Sequence, residues 1–336
     1  MQQNPFAVTF GQKPVVYVER PHLAEEILDM FRTDPITNQF YVLRGPHGSG
    51  KTVLLSDIAN RFEEDPQWIV VRCDPESPGF SAIANALREA VYSGNYTAAG
   101  ESDESYAFEI EGILKWLAGR DKKILFAVDA MADTPQMQNF LSHFQLWMCK
   151  ELPVFFLGTA TYENMQEIQD APCLTFLYRA PKIDLFPLDP LLMAESYQAA
   201  FGIPEAQGLY LANFTKGYAF AFQALGHLYW DAKPAGNIED LLPDFDALLA
   251  DSAYSAIWRE LSLEDRILCQ AVAKSGSGKA ADIKANLPDT VSGHFRQWCL
   301  RLKNQGLVDL PVSGSITFAL PRFREFVKHQ PRKTSD

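Results

Sequence analysis

Between residues 40 and 185, short continuous apolar runs alternate with stretches whose apolar residues recur every three or four positions. The runs are Phe40–Arg44, Trp68–Cys73, Ile124–Val128, Val154–Gly158 and Ile183–Leu185, each rich in Val, Ile, Leu or Phe. A run with no polar alternation is a strand buried on both faces. Such strands separated by helices predict a parallel sheet covered on both sides. Ahead of them, residues 1–39 are broken by Pro5, Gly11, Pro14 and Pro21, with a helical pattern from Leu23 to Phe31.

After Asp189 the strand pattern stops. Leu191–Phe201, Glu205–Asn213, Tyr218–Tyr229 and Ile238–Leu249, the last interrupted at Pro243, read as a small helical bundle. From residue 251 the pattern changes again: a helix over Ser255–Ala273, a short one over Ala280–Leu287 and a third over Val291–Gln305. Gly306, a strand at Leu307–Leu310, a turn at Pro311–Ser315, a strand at Ile316–Leu320 and a closing helix follow. Three helices and a hairpin predict a winged helix. The expected parts are residues 1–188, 189–250 and 251–336.

Composition narrows the setting. No basic start followed by an apolar stretch opens the chain, and the apolar runs are strand-sized, so neither export nor membrane anchoring is expected. The five cysteines, Cys73, Cys149, Cys173, Cys269 and Cys299, are scattered and never form a C-x-x-C pair, which reads as free thiols in a reducing cytoplasm. The net charge of −12 excludes a surface that coats nucleic acid throughout. Residues 251–336 nevertheless carry 13 Lys and Arg against 9 Asp and Glu, while residues 1–250 carry 17 against 33. The last part therefore tolerates a polyanion better than the first.

Gly45-Pro46-His47-Gly48-Ser49-Gly50-Lys51-Thr52 fits G-x-x-x-x-G-K-[ST] in full, after a predicted strand and before a predicted helix. Glycines let successive backbone N–H groups turn toward phosphates, and the helix adds the positive end of its dipole. Lys51 would reach the β- and γ-phosphates, Thr52 would ligate Mg²⁺, and Val53 completes the nucleotide-contacting stretch. A chance match in a chain of this length has odds of roughly one in a hundred before context is counted, so an empty glycine turn is the weaker reading. ATP with Mg²⁺ is the expected ligand.

Ile124–Val128 ends in Asp129, a Walker B segment whose carboxylate would hold the Mg²⁺. The next position, commonly a Glu that activates water, is Ala130. General-base assistance is worth roughly two to four orders of magnitude, so slow or absent hydrolysis is expected unless Asp133 or Asp74 stands in. The six histidines never pair at ligand spacing, so no metal other than nucleotide-bound Mg²⁺ is expected.

With these motifs in place, the chain resembles an AAA+ P-loop ATPase related to the replication-initiator, origin-recognition-like group, in particular bacterial and archaeal ATPases that end in a winged helix. Asn4-Pro5-Phe6, Phe10-Gly11, Pro14 and Val18-Glu19-Arg20 are similar to the family's leading segment beside the adenine, with Glu19 where Gly is usual. Leu157-Gly158-Thr159 is similar to its fourth strand, whose polar tip, here Thr159, senses the γ-phosphate. Arg179, before Leu185-Phe186-Pro187-Leu188, is similar to an arginine presented to a neighbouring nucleotide. Thr215-Lys216-Gly217-Tyr218-Ala219 is similar to the lid's "T-G-G-Y-P" helix start, with Ala219 in place of Pro and no arginine.

The resemblance implies an α/β P-loop (AAA+/ASCE) domain, a helical lid and a winged helix, with Asp129, Asp133 and Arg179 as catalytic candidates and Arg20 and Thr159 as nucleotide contacts. Rings or pairs are also implied, so an oligomer is an open expectation. On the third helix of the winged-helix part, His294, Arg296, Gln297, Arg301, Lys303 and Asn304 are of types that read bases or hold phosphates, while Phe295, Trp298, Leu300 and Leu302 are core candidates. The basic tail at Arg322, Arg324, Lys328, Arg332 and Lys333 adds to that charge. Double-stranded DNA and a protein partner both remain open; a working ATPase with an unconventional base is a third reading.

Overall fold

The structure, a computed structural model, describes residues 3–9, 14–73, 79–91, 102–185, 187–232, 237–287, 293–310 and 314–331. Contacts divide the chain into two compact units: residues 19–44 with 51–185, and residues 1–18 with 45–50 and 186–336.

The first unit is a five-stranded sheet with helices on both faces. In chain order it holds α1 (Pro21–Arg32), β1 (Phe40–Arg44), α2 (Lys51–Glu63), β2 (Trp68–Cys73), α3 (Phe80–Val91), α4 (Asp103–Ala118), β3 (Lys123–Val128), α5 (Pro135–Cys149), β4 (Val154–Ala160), α6 (Tyr162–Asp170) and β5 (Lys182–Asp184). The strand order is β2-β3-β4-β1-β5 and every described pair is parallel, so β4 separates β1 from β3. The register sets Phe40 against Phe156 and Arg44 against Ala160.

Period-two geometry sorts the strand residues into two cores. Phe40, Val42, Ile124, Phe126 and Phe156 pack with α3, α4, α5 and α6, and Tyr41, Leu43, Leu125, Phe155 and Leu157 pack with α1 and α2. The Phe40 and Phe156 rings stack at 4.3 Å between centroids. Fully burying a large apolar side chain is worth about 1.5–3 kcal/mol, which explains why these strands carry no polar alternation. Thr134 and Thr161 cap α5 and α6, and Ser102 with Ser105 forms a capping box on α4.

The second unit is mostly helical: α7 (Pro190–Phe201), α8 (Glu205–Phe214), α9 (Ala219–Ala232), α10 (Ile238–Leu249), α11 (Ser255–Glu260), α12 (Leu263–Lys274), α13 (Ala280–Lys284), α14 (Phe295–Asn304), β6 (Val308–Asp309), β7 (Thr317–Phe318) and α15 (Phe323–Lys328). One apolar cluster runs from Phe6 through Tyr197, Phe222 and Phe245 to Leu268, Leu302 and Phe323. The leading segment is tied to α9. Asn4 Nδ2 donates to the His227 carbonyl at 3.1 Å, and Gln223 bonds both the Ala7 N–H and the Val16 carbonyl.

Two boundaries depart from the sequence pattern. The stretch read as one helix from Ser255 to Ala273 is broken at Leu261-Ser262, because the Ser262 hydroxyl caps a new helix by accepting from the Asp265 N–H at 3.2 Å. Pro243 does not interrupt α10, which runs through it; both the proline and Glu239, whose carbonyl loses a helical donor, are exposed residues. The order α12, α13, α14, β6, β7 is the helix and hairpin order read from the pattern, with β6 and β7 antiparallel and Val308 opposite Phe318. Residues 291–292 and 311–313, expected to begin the third helix and tip the hairpin, lie outside the described residues. Among the described residues, no helix is long and apolar enough to cross a membrane.

Candidate functional site

β1 ends at Arg44 and α2 starts at Lys51, so Gly45–Gly50 is the connection between a buried central strand and a helix start. Gly48 at φ 74° and Gly50 at φ 92° lie in the left-handed region, where a Cβ is strained. The Ser49 N–H donates back to the Pro46 carbonyl at 3.2 Å, which tightens the turn.

Within the second unit this loop is held from its carbonyl side. The Tyr218 hydroxyl donates to the His47 carbonyl. The Phe220 N–H, in the first turn of α9, donates to the Gly48 carbonyl at 2.9 Å. His47 Nε2 lies 2.7 Å from Glu260 Oε1 at the end of α11. A Cβ on Gly48 would collide with the Tyr218 hydroxyl and come within 2.8 Å of the Phe220 Cβ, so this glycine is required by close approach as well as by φ. Tyr218 is buried, and burial pushes its phenol far above the usual range, so the hydroxyl stays a donor at any physiological pH. Lys216 at φ 50° and Gly217 at φ 72° make the turn that aims Tyr218; a Cβ on Gly217 would come within 2.6 Å of Pro187. Nothing in the sequence pattern marked Tyr218 or Glu260 as loop contacts, because both pairings are long-range.

Within the first unit, Lys51, Thr52 and Val53 form the first turn of α2. The Thr52 hydroxyl donates to Asp129 Oδ2 at 2.8 Å, and the Thr159 hydroxyl donates to Asp129 Oδ1 at 2.6 Å. Both carboxylate oxygens are thus engaged by hydroxyls, one from the helix that follows the loop and one from the tip of β4. Thr159 is buried, and its oxygen also accepts the Ala130 N–H at 2.7 Å.

The residue after Asp129 is the exposed Ala130, which carries no acid. Ala130 sits at φ 51°, and the Met131 N–H bonds the Thr159 carbonyl at 2.7 Å, sending the Met131 side chain into the core. Gly158 is needed beside it: a Cβ there would meet Met131 Sδ and lie 2.7 Å from the Phe156 ring. Asn164 on α6 fastens the turn by donating to the Met131 carbonyl at 3.0 Å.

The remaining candidates are dispersed. Asp133 is exposed and accepts from Gln138 Nε2 at 2.7 Å, with no described bond to the Asp129 cluster. Asp74, Phe10, Gly11 and Phe186 lie outside the described residues. Arg20 precedes α1, its carbonyl accepting from the Leu23 and Ala24 N–H groups, and burial lowers its guanidinium to about 10. Arg179 is exposed behind a 3₁₀ turn and makes no described side-chain bond.

On α14, His294, Arg296, Gln297, Lys303 and Asn304 are exposed, whereas Phe295 and Leu302 are buried and Trp298 is half-buried. Leu300, read as a core candidate, is 45% exposed, because it falls on the outward side of the helix. Arg301 is committed to structure. Its Nε and Nη2 lie 2.9 and 2.7 Å from Asp265 Oδ1, and Nη2 also reaches Ser262 Oγ at 3.1 Å. Arg322 is likewise spent on both oxygens of Asp246, and Arg324 on the Ala273 and Ser275 carbonyls; Arg332 and Lys333 lie outside the described residues.

The donor set fits a magnesium nucleotide. Among the described residues no group of three or more His, Cys, Asp or Glu could cage a metal ion. Mg²⁺ is commonly held by one or two protein oxygens together with substrate phosphates, and the Thr52 hydroxyl and the Asp129 carboxylate, 2.8 Å apart, are oxygens of the type such an ion would take.

No family model matches the chain, and no curated protein matches it. Solved structures do. The ORC2 protein of Aeropyrum pernix, in ADPNP and ADP complexes, aligns over 96% of both chains with a TM-score of 0.61 and 14% identity. The ADP form of that protein aligns over 96% of both chains with a TM-score of 0.53 and 14% identity. Cdc6p of Pyrobaculum aerophilum aligns over 96% of both chains with a TM-score of 0.50 and 13% identity. The parallel sheet and its helices are therefore the AAA+ P-loop fold of the ORC and Cdc6 type.

Proposed function

We propose, from a fold shared with the ORC and Cdc6 proteins, that this chain is an ATP-binding switch that hydrolyses slowly or not at all. The observation that carries the reading is the Asp129 carboxylate, held between the hydroxyls of Thr52 and Thr159, in a chain whose sequence carries a complete Gly45–Thr52 phosphate-loop motif. The backbone of Gly45–Gly50 would cradle the phosphates and Lys51 would neutralise them. Thr52 and Asp129 would hold the Mg²⁺, which would neutralise part of the phosphate charge. Val53, Arg20 and Thr159 are the further nucleotide contacts; Arg179, exposed, is suited to a neighbour's site rather than its own.

Slow turnover follows from the turn after Asp129. Ala130 carries no base, its N–H is occupied by Thr159, and Asp133 is engaged by Gln138. Purified protein should bind ATP with Mg²⁺ and turn it over far below the order of 1 s⁻¹. A rate of that order, lost in Lys51→Ala but kept in Asp133→Ala, would remove the slow-turnover part and leave binding intact.

The three working parts on this reading are a nucleotide domain (1–188), a lid (189–250) and a winged helix (251–336). Duplex DNA is the partner proposed for the last. Arg296 and Lys303 are its exposed cations on α14, whereas Arg301 is bound to Asp265. A second reading, a scaffold whose winged helix holds protein, is favoured by the exposure of Leu300 on the same helix. A mobility-shift titration at two salt concentrations, with and without ATP, separates them. DNA binding should fall steeply with salt and weaken in Arg296→Ala and Lys303→Ala; a scaffold should ignore duplex under all conditions.

A further inference from the structure

Along Gly45–Gly50 the backbone handedness alternates: Gly48 and Gly50 are left-handed, and Ser49 between them is not. Such alternation turns successive N–H groups toward one side, a concavity that accepts an anion, and sends the carbonyls the other way. Two of those carbonyls are already engaged. The Tyr218 hydroxyl donates to that of His47, and the Phe220 N–H donates to that of Gly48 at 2.9 Å. Glycine loses more conformational freedom on being fixed than any other residue, so a loop carrying Gly45, Gly48 and Gly50 is costly to order around an arriving phosphate chain. Held from its carbonyl side, it is ordered beforehand.

Tyr218 is itself held from two directions. Its N–H donates to the Thr215 carbonyl at 2.9 Å, and the Gly217 carbonyl accepts from the Leu188 N–H at 2.8 Å, which fixes the left-handed turn at Lys216-Gly217. Its ring stacks on Tyr254 with 6.1 Å between centroids and 24° between planes, and the Tyr254 hydroxyl donates to the Pro321 carbonyl. Lys216 Nζ donates to the Phe318 carbonyl of β7 at 2.8 Å. The turn that presents the Tyr218 hydroxyl to the loop is therefore fastened, through Lys216 and Tyr254, to β7 and the residues that follow it.

We propose that Tyr218 is a positioning residue for nucleotide uptake: its hydroxyl keeps the phosphate loop in the anion-accepting form before ligand arrives, and Lys216 makes that hold depend on the seating of β7. Tyr218 acts on the cradle for the phosphates, so its contribution is the same whatever base they carry. The inference rests on the nucleotide reading above and adds to it a residue that the loop motif does not contain.

Tyr218→Phe keeps the ring and its stack on Tyr254 and removes the one bond. Titration calorimetry of the full chain with ATP and Mg²⁺, and competition by inorganic tripolyphosphate, read the consequence. Affinity for both ligands should fall by the same factor, about three- to tenfold, the worth of one hydrogen bond, with circular dichroism unchanged. Lys216→Met leaves the hydroxyl in place and should weaken both ligands by a smaller factor. An affinity unchanged in Tyr218→Phe, even with a lowered melting temperature, marks a purely structural bond and overturns the proposal. So does a loss confined to ATP, which would make Tyr218 a base contact, or tripolyphosphate that fails to compete with ATP in the parent chain. Unchanged affinity in Lys216→Met overturns the dependence on β7. A parent chain that takes up neither ligand refutes the nucleotide reading itself, whereas each of the other failures leaves that reading standing.

Discussion

Arg301 offers the sharpest separation of a structural from a DNA-contacting charge. Its guanidinium places two donors on Asp265 Oδ1 and a third bond on Ser262, and Asp265 is only 2% exposed. Removing one partner of a fully buried ion pair costs about 3–5 kcal/mol, while an exposed pair contributes about 0–1 kcal/mol. Here the carboxylate is buried but the Arg301 side chain is 43% exposed, so water shares the solvation and the cost falls between those limits. Ser262 Oγ stays 2.8 Å from Asp265 Oδ2 in the variant and absorbs part of the loss. Arg301→Ala should therefore destabilise the fold by about 2 kcal/mol, a melting-temperature drop of roughly 4–8 °C. Asp265→Leu combined with Arg301→Met should recover much of this, because replacing both partners leaves no orphaned charge. Thermal unfolding followed by circular dichroism reads both. A melting temperature of Arg301→Ala unchanged to within about 1 °C, together with lost duplex binding, would refute the structural assignment.

Further outcomes follow from particular residues. Ala130 holds a left-handed conformation, so Ala130→Gly should stabilise the fold by about 0.5–1 kcal/mol in denaturant titrations; a loss of that size would mean the Cβ makes contacts that outweigh the strain. Arg88 is buried and doubly bonded to Glu109 at 2.5 and 2.6 Å, and that bonding holds the Glu109 carboxyl below the usual range. The pair's stabilisation is then present above the unfolded glutamate value near 4.5 and lost as pH falls through the lower folded value. Glu109→Gln should be destabilised at neutral pH and should lose less stability than the parent on acidification, measured by urea midpoints from pH 7 to about pH 3. Gly112→Ala should raise stability by about 1 kcal/mol, as helix propensity requires where a Cβ meets nothing within 4 Å among the described residues; no gain in denaturant titrations would refute this.

The strands were legible nearly to the residue, since Phe40–Arg44 and Trp68–Cys73 are apolar runs whose ends are set by Gly45 on one side and Gln67 on the other. The loop between β1 and α2 was legible because its glycines, Lys51 and Thr52 are adjacent in the chain. What joins distant residues was not. The Tyr218 hydroxyl on His47, the Thr159 bridge to Asp129 and Ala130, and the Arg301 pairing with Asp265 span 171, 30 and 36 positions, and each partner alone looks like an ordinary surface or core residue. The break at Ser262 was hidden for a different reason: the apolar period runs through it, and only the hydroxyl's bond to the Asp265 N–H shows that a new helix begins there.

The central claim is that the Gly45–Thr52 loop takes up a magnesium nucleotide, and titration calorimetry with ATP and Mg²⁺ on folded full-length chain addresses it most directly. The account predicts saturable uptake of one nucleotide, abolished by Lys51→Ala and weakened by Asp129→Asn without loss of folding. Heat indistinguishable from dilution for the unmodified chain, or uptake that persists undiminished in Lys51→Ala, would contradict it.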